Sequence, residues 1–366
     1  MTDRLAARRR AVGAALQSVG ADAILITDPR NIAYLTGFRG SGGAVLVEET
    51  GEAVLCTDSR YELQVVEQAP DVGHVISREY VAGVLGRRRG PADAPIAVEG
   101  DVLTLTAAAA LRRALAGVGA QEAPVIETSG LVEEVRRNKD ADELALIECA
   151  CGVLDTAWTH MLTNGLIRVG HTERDVAADL EHAMRRAGSD GVAFETIVAT
   201  GPNGAHPHHV PGDRVLASGD LVVIDFGATV AGYASDCTRT VALGAAPDRL
   251  VEAYDVVLQA QLAGVAAVRA GIACTDLDAV SRGIIESAGY GGYFGHSLGH
   301  GVGLDVHEAP AVSTRSTSTL SDGDVITIEP GIYLPGLGGI RIEDTVAVTD
   351  GGGRSLTTTS KTLSVL

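Results

Sequence analysis

The chain has 366 residues, 46% of them hydrophobic, and a formal net charge of −18. That length allows two domains, and the hydrophobic share is enough to fill their cores. So acidic a surface argues against nucleic acid as a partner and for a soluble protein.

Residues 4–19 read as an amphipathic helix ending at Gly20, and residues 23–27 as a short strand. A second short element spans residues 31–36, and a glycine-rich loop residues 37–43. Residues 44–47 and 53–57 form a hairpin, followed by helices over 58–68 and 81–88, a strand over 96–98 and a helix over 103–116. Strands alternating with helices make this an α/β unit. It carries no clustered acid–histidine set, and Gly40-Ser41-Gly42-Gly43 lacks the lysine of a phosphate loop. The polar stretch 128–142 marks a boundary, so the expected domains are residues 1–130 and 131–366.

A long helix follows over about 142–162, with Leu144, Ile147, Cys151, Leu154 and Trp158 at helical spacing. An internal echo then appears between Gly170–Gly188 and Gly271–Gly289. Each stretch begins with a threonine, Thr172 or Thr275, followed by Asp175 or Asp278 in the manner of a capping box. Each ends in Ala-Gly, a helix stop, and precedes an acid-bearing hairpin. The echo reads as two halves of one pseudo-symmetric domain with a site between them.

The acids in those hairpins are the strongest signal. Asp225, Asp236, Glu329 and Glu343 lie in otherwise apolar strands, where an ionised carboxylate is costly unless something positive compensates it. A symmetric hairpin about Val230 and Ala231 sets Asp225 opposite Asp236, and Glu329 and Glu343 are equidistant from Gly336. Opposed like charges destabilise a sheet, whereas two divalent cations about 3.5–4 Å apart would neutralise four carboxylates. His300, in the glycine-rich Gly295–Gly301, fits as a fifth ligand. Four carboxylates and one imidazole are a hard donor set that favours Mn²⁺, with Co²⁺ or Fe²⁺ as substitutes. Arg341 lies two residues before Glu343, shares its strand face and is placed to hold a bridging carboxylate. Tyr233, Thr238 and Arg239 are supporting candidates. The loop 201–211 (GPNGAHPHHVP) carries His206, His208 and His209; loops of this kind often bear function.

The order Asp225, Asp236, His300, Glu329, Glu343 and the words IDFGA, YASDCTRT, GHGVGLDVHE, EPGIY and GIRIED resemble the pita-bread metallopeptidases. The closest resemblance is to their Xaa-Pro branch, aminopeptidase P and prolidase. It covers residues 130–350 and, more weakly, Asn31–Phe38, where the first domain resembles the creatinase-like N-terminal domain. The resemblance implies a pseudo-symmetric α/β (α+β) catalytic domain and a homodimer. It implies that Asp225 binds one metal, His300 and Glu329 the other, and that Asp236 and Glu343 bridge. It further implies a catalytic Glu329, substrate contact by His208, stabilisation of the tetrahedral intermediate by His307, and His296 on the proline side of the pocket. The substrates implied are short proline-containing peptides. Two rivals share the fold: a creatinase-like amidinohydrolase, which works without metal, and a non-catalytic peptide-binding member. The intact ligand set disfavours both.

The five cysteines form no Cys-x-x-Cys pair, which suits a reducing compartment. The first residues carry charge without an apolar core, unlike a secretory signal, and no run of about 18 apolar residues reads as a membrane span. The expected location is the cytoplasm.

Overall fold

The computed structural model describes residues 2–366. Contacts divide the chain into two compact units, Met1–Arg136 and Arg137–Leu366. The polar stretch 128–142 is not an open linker. It forms the helix Leu131–Arg137, with Val132 and Arg136 buried, and the capped start of the next helix.

The first unit is built on a six-stranded mixed sheet. Its central strand, Ala23–Ile26, is buried at every residue, as a strand covered on both faces must be. It pairs antiparallel with Ala44–Glu48 and parallel with Ile96–Glu99. The element over residues 31–36 is the helix Pro29–Thr36, opened by the Asp28 side chain and by proline in its first turn. Two edge strands, Gly73–Ile76 and Val125–Thr128, escaped the sequence reading, because they are largely exposed and lack an apolar run.

The second unit has two similar halves. In the first, the helices Ala141–Thr163 and Glu173–Arg186 pack on a sheet containing Ile197–Thr200, Leu221–Phe226 and Cys237–Ala242, with Phe226 stacked on Trp158. In the second, Asp248–Ala267 and Cys274–Ser287 pack on a sheet containing Gly299–Gly301, Val325–Ile328 and Asp344–Thr349. The capping echo holds only for the first half. Thr172 and Asp175 form a full capping box, but the second helix starts at Cys274 with no side-chain cap. There Asp278 is instead buried against Arg282 and the Leu298 amide.

The first hairpin also departs from expectation. Its turn is centred between Ala231 and Gly232, which pairs Val230 with Tyr233 and Asp225 with Thr238. Asp225 and Asp236 are therefore diagonal neighbours on one face, not directly opposed. A two-residue turn with both central residues at positive φ, Ala231 at 50° and Gly232 at 85°, imposes this register. The second hairpin matches expectation. Ile328 faces Asp344 and Gly331 faces Arg341, so Glu329 and Glu343 stand across from each other in the gap between the two ladders.

Candidate metal centre

Three of the acids lie just outside ladder segments, and Asp225 lies in one, paired with Ile197 and Thr238. Asp225 is near the end of Leu221–Phe226, and Asp236 lies just before Cys237–Ala242. Glu329 and Glu343 flank the Gly331–Arg341 hairpin, their amides bonded to Leu298 and Thr238 carbonyls. His300 lies on the short strand Gly299–Gly301. The structure brings all five to one cavity of about 420 Å³.

Ligand atoms of Asp236, His300 and Glu343 lie within 4.8 Å of one another. His300 Nε2 is 3.4 Å from Glu329 Oε1 and 3.7 Å from Asp236 Oδ2. Its Nδ1 donates to the Gly301 carbonyl at 3.1 Å, which leaves a lone pair on Nε2. Burial pushes this imidazole down to about 4, so it stays neutral at pH 7. A lone pair facing two carboxylates is repulsive unless a cation stands between them. The carboxylates point the same way. Burial, then the charges of Glu343, Asp225 and Glu329, push Asp236 well above the usual carboxylate range. Burial, then the charges of Glu329 and Asp225, push Glu343 up, and burial raises Glu329 to about 8. Asp225 Oδ1 and Asp236 Oδ1 are buried without a hydrogen-bond partner. Orphaned oxygens, mutual repulsion and an unprotonated imidazole together fit divalent metal.

The surroundings hold these ligands in place. Thr238 Oγ1 donates to Glu343 Oε2 at 2.7 Å, and Thr327 Oγ1 contacts Glu329 Oε1 at 3.3 Å. Arg341 differs from its expected role. Its Nη2 pairs with Asp225 Oδ2 at 2.6 Å, not with a bridging carboxylate. The β-strand face it shares with Glu343 points it across the sheet toward Leu221–Phe226. Arg341 Nη1 also donates to the Tyr333 hydroxyl at 2.8 Å. Arg239 holds Asp344 and the Glu343 backbone carbonyl. Tyr233 lies elsewhere, donating to Glu143 at 2.8 Å.

The remaining histidines divide clearly. His296 is half-buried and lines the cavity, with Nδ1 donating to the Ser297 carbonyl at 2.8 Å and Nε2 accepting from Tyr333 at 2.9 Å. Burial pushes it down to about 4. His307 is exposed into the cavity, its ring 4.2 Å from that of His300. His208 also lines the cavity and His206 does not. His209 is bonded to the buried Glu173. The base of this loop lies on the second hairpin backbone to backbone. A Cβ on Gly339 would fall 1.9 Å from the Gly204 carbonyl oxygen. Sequence reading missed Tyr333 and Glu173. Tyr333 stood within EPGIY, and Glu173 looked like an ordinary first-turn acid.

Five ligand-type side chains at the meeting of two similar half-domains define a metal-dependent hydrolase. Residues 145–350 match Metallopeptidase family M24, and residues 8–137 match the Creatinase/Prolidase N-terminal domain. The chain is 36% identical to a Xaa-Pro dipeptidase of Pyrococcus furiosus over 93% of this chain and 95% of that protein. A Xaa-Pro dipeptidase from Bacillus anthracis superposes with a TM-score of 0.92 at 38% identity, covering 99% of this chain and 100% of the other. An X-Pro aminopeptidase from Thermotoga maritima does so with a TM-score of 0.87 at 36% identity, covering 96% and 99%. The chain belongs to metallopeptidase family M24. Its two units are the creatinase-like N-terminal domain and the pita-bread domain, in agreement with the sequence reading.

Proposed function

We propose that the chain removes the N-terminal residue preceding proline from short peptides, using two divalent ions with Mn²⁺ preferred. One observation carries this reading. Asp225, Asp236, His300, Glu329 and Glu343 converge, with orphaned buried oxygens, on a cavity also lined by Phe194, Ile197, Pro207 and Val210. The relatives' names, Xaa-Pro dipeptidase and X-Pro aminopeptidase, supply the substrate class. In this reading Asp225 would hold one ion and His300 and Glu329 the other, with Asp236 and Glu343 shared between them. Bound divalent ions lower the pKa of water and polarise a scissile carbonyl.

The protein's own groups do the rest. Glu329, raised by burial, passes a proton from the attacking water to the leaving proline nitrogen. His307 and His208, open to the cavity, contact the tetrahedral intermediate and the substrate. His296 has both nitrogens engaged, so it offers its ring to the proline side. An Xaa-Pro bond is a tertiary amide without N–H, so the pocket needs room for a ring and no acceptor. Asp225, whose Oδ1 has no hydrogen-bond partner, would take the substrate's free amino group. Among the described residues, Arg341 is the only arginine or lysine lining the cavity, and Asp225, Tyr333, Thr238 and the Pro207 carbonyl engage its guanidinium. A dipeptide's terminal carboxylate therefore finds no free cation, and longer peptides are cleaved at least as fast. Unpaired cysteines, four of the five buried, fit a reducing cytoplasm.

The test is product analysis with Mn²⁺ on Ala-Pro, Ala-Pro-Ala, Ala-Ala-Ala and N-acetyl-Ala-Pro-Ala. Release of alanine from Ala-Pro-Ala, with Ala-Ala-Ala and the acetylated peptide resistant, is expected. Equal rates on Ala-Ala-Ala would remove the proline specificity, and cleavage of Ala-Pro alone would make the enzyme a strict dipeptidase. Full activity after chelation would favour the metal-free amidinohydrolase reading.

A further inference from the structure

Glu173 opens the helix Glu173–Arg186 and is fully buried. A buried carboxylate needs donors, and here all four come from one stretch of chain. Oε1 accepts from the Thr200 amide and from Asn203 Nδ2, each at 2.9 Å. Oε2 accepts from His209 Nε2 at 2.7 Å and from the Gly212 amide at 3.1 Å. Burial pushes this carboxyl group up, but the four hydrogen bonds outweigh it and hold the group below its usual range.

The positions of those donors matter. Thr200 and Gly212 bracket the loop, and Asn203 and His209 lie within it. His208 sits next to His209 and lines the cavity, yet among the described residues its own side chain has no hydrogen-bond partner. Its placement depends on its backbone. On one side His209 is tied to Glu173. On the other, the Pro207 carbonyl accepts from Arg341 Nη1 at 3.3 Å, and Arg341 also holds Asp225.

We propose that Glu173 and His209 are positioning residues for His208: their hydrogen bond fixes the loop backbone that presents His208 to the cavity. This rests on the substrate-contacting role of His208 given above. A carboxylate that only closed the first turn of its helix would affect stability and not the action of His208. The pair has a second consequence. His209 must carry its proton on Nε2, because an ionised carboxylate only accepts. A glutamine at position 209 can supply the same N–H, and alanine cannot.

The experiment is a double-mutant cycle on the full-length, Mn²⁺-loaded enzyme, with kcat and KM measured on Ala-Pro-Ala and Tm recorded for each variant. The variants are His208→Ala, His209→Ala, His209→Gln, Glu173→Gln and the His208→Ala/His209→Ala double variant, with His206→Ala as control. His209→Ala is expected to lower kcat/KM about tenfold, and His209→Gln to recover most of that loss. In the His208→Ala background, removing His209 should cost less than about twofold more, because coupled residues do not add. Glu173→Gln should resemble His209→Ala; if it does not fold, the His209 variants carry the test. Strictly additive losses, or wild-type activity in His209→Ala, overturn the inference while leaving the proposed role of His208 intact. Wild-type activity in His208→Ala overturns that role and this inference with it.

Discussion

The Tyr333 hydroxyl accepts from Arg341 and donates to His296 Nε2, so one phenol links the guanidinium on Asp225 to the proline-side imidazole. Burial pushes that phenol up to about 12, so its proton stays available for donation. His296 receives it as a neutral ring, which burial pushes down to about 4 from an ordinary value of 6.5. The folded form thus binds a proton less readily than the unfolded chain. The resulting stability is complete above pH 6.5 and is lost as pH falls toward 4, a contribution on the order of 3 kcal/mol. His296→Gln keeps an acceptor for Tyr333 but cannot titrate. The gap in unfolding free energy between wild type and this variant should therefore narrow steadily from pH 7 to pH 4. A gap constant across that range would mean that the ring is not held neutral by burial. At this scale the ligands were legible in the sequence, because a carboxylate in an apolar strand is an energetic contradiction that a cation resolves. Tyr333 and Glu173 were not legible. A tyrosine in a strand and an acid in a first helical turn are both ordinary, and the partners of Glu173 arrive from 27 to 39 residues away.

Elements placed these residues less predictably than composition did. Symmetry about the midpoint of two acids set Asp225 opposite Asp236, but the turn itself decided the register, moving the partner of Asp225 to Thr238. A slip by two keeps side chains on the same face, and for that reason the ligand set survived the error. The capping echo failed for a similar reason. Asp278 was drawn to Arg282 and the Leu298 amide, a tertiary demand that local spacing does not show. The turn allows a direct test. Ala231 has a φ of 50°, a conformation that costs alanine roughly 1–2 kcal/mol and that asparagine tolerates better. Ala231→Asn should therefore stabilise the protein by about 1 kcal/mol, a rise in Tm of roughly 1–2 °C. Activity should not change, because Ala231 lies outside the cavity lining. A lower Tm in this variant would contradict the turn geometry that sets the register.

At the scale of the whole molecule, a chain of net charge −18 gathers four of its carboxylates, Asp225, Asp236, Glu329 and Glu343, into one site. Without metal the compromise is protonation, and Asp236, Glu329 and Glu343 are all held above the usual carboxylate range, first by burial and then by neighbouring carboxylates, Asp225 among them. A carboxyl group raised on folding contributes stability below its unfolded value and loses it as pH climbs through its folded one. The metal-free protein should thus lose stability as pH rises from about 5 through about 8, where Glu329 titrates. Divalent metal reverses the sign, because it takes the place of those protons and binds the folded chain alone. At about a hundredfold excess over Kd it should add about 2.7 kcal/mol. Its effect should be larger at pH 8, where fewer protons compete for the ligands, than at pH 5. The measurement is Tm of chelator-stripped protein with and without MnCl₂ at both pH values and constant ionic strength. The difference between loaded and stripped protein at each pH cancels every titrating group that the metal does not touch. A metal-induced rise that grows with pH ties the ion to the buried carboxylates. A rise equal at both values would place the bound ion on the acidic surface, and no rise at all would leave Asp225, Asp236, His300, Glu329 and Glu343 without the cation their geometry calls for.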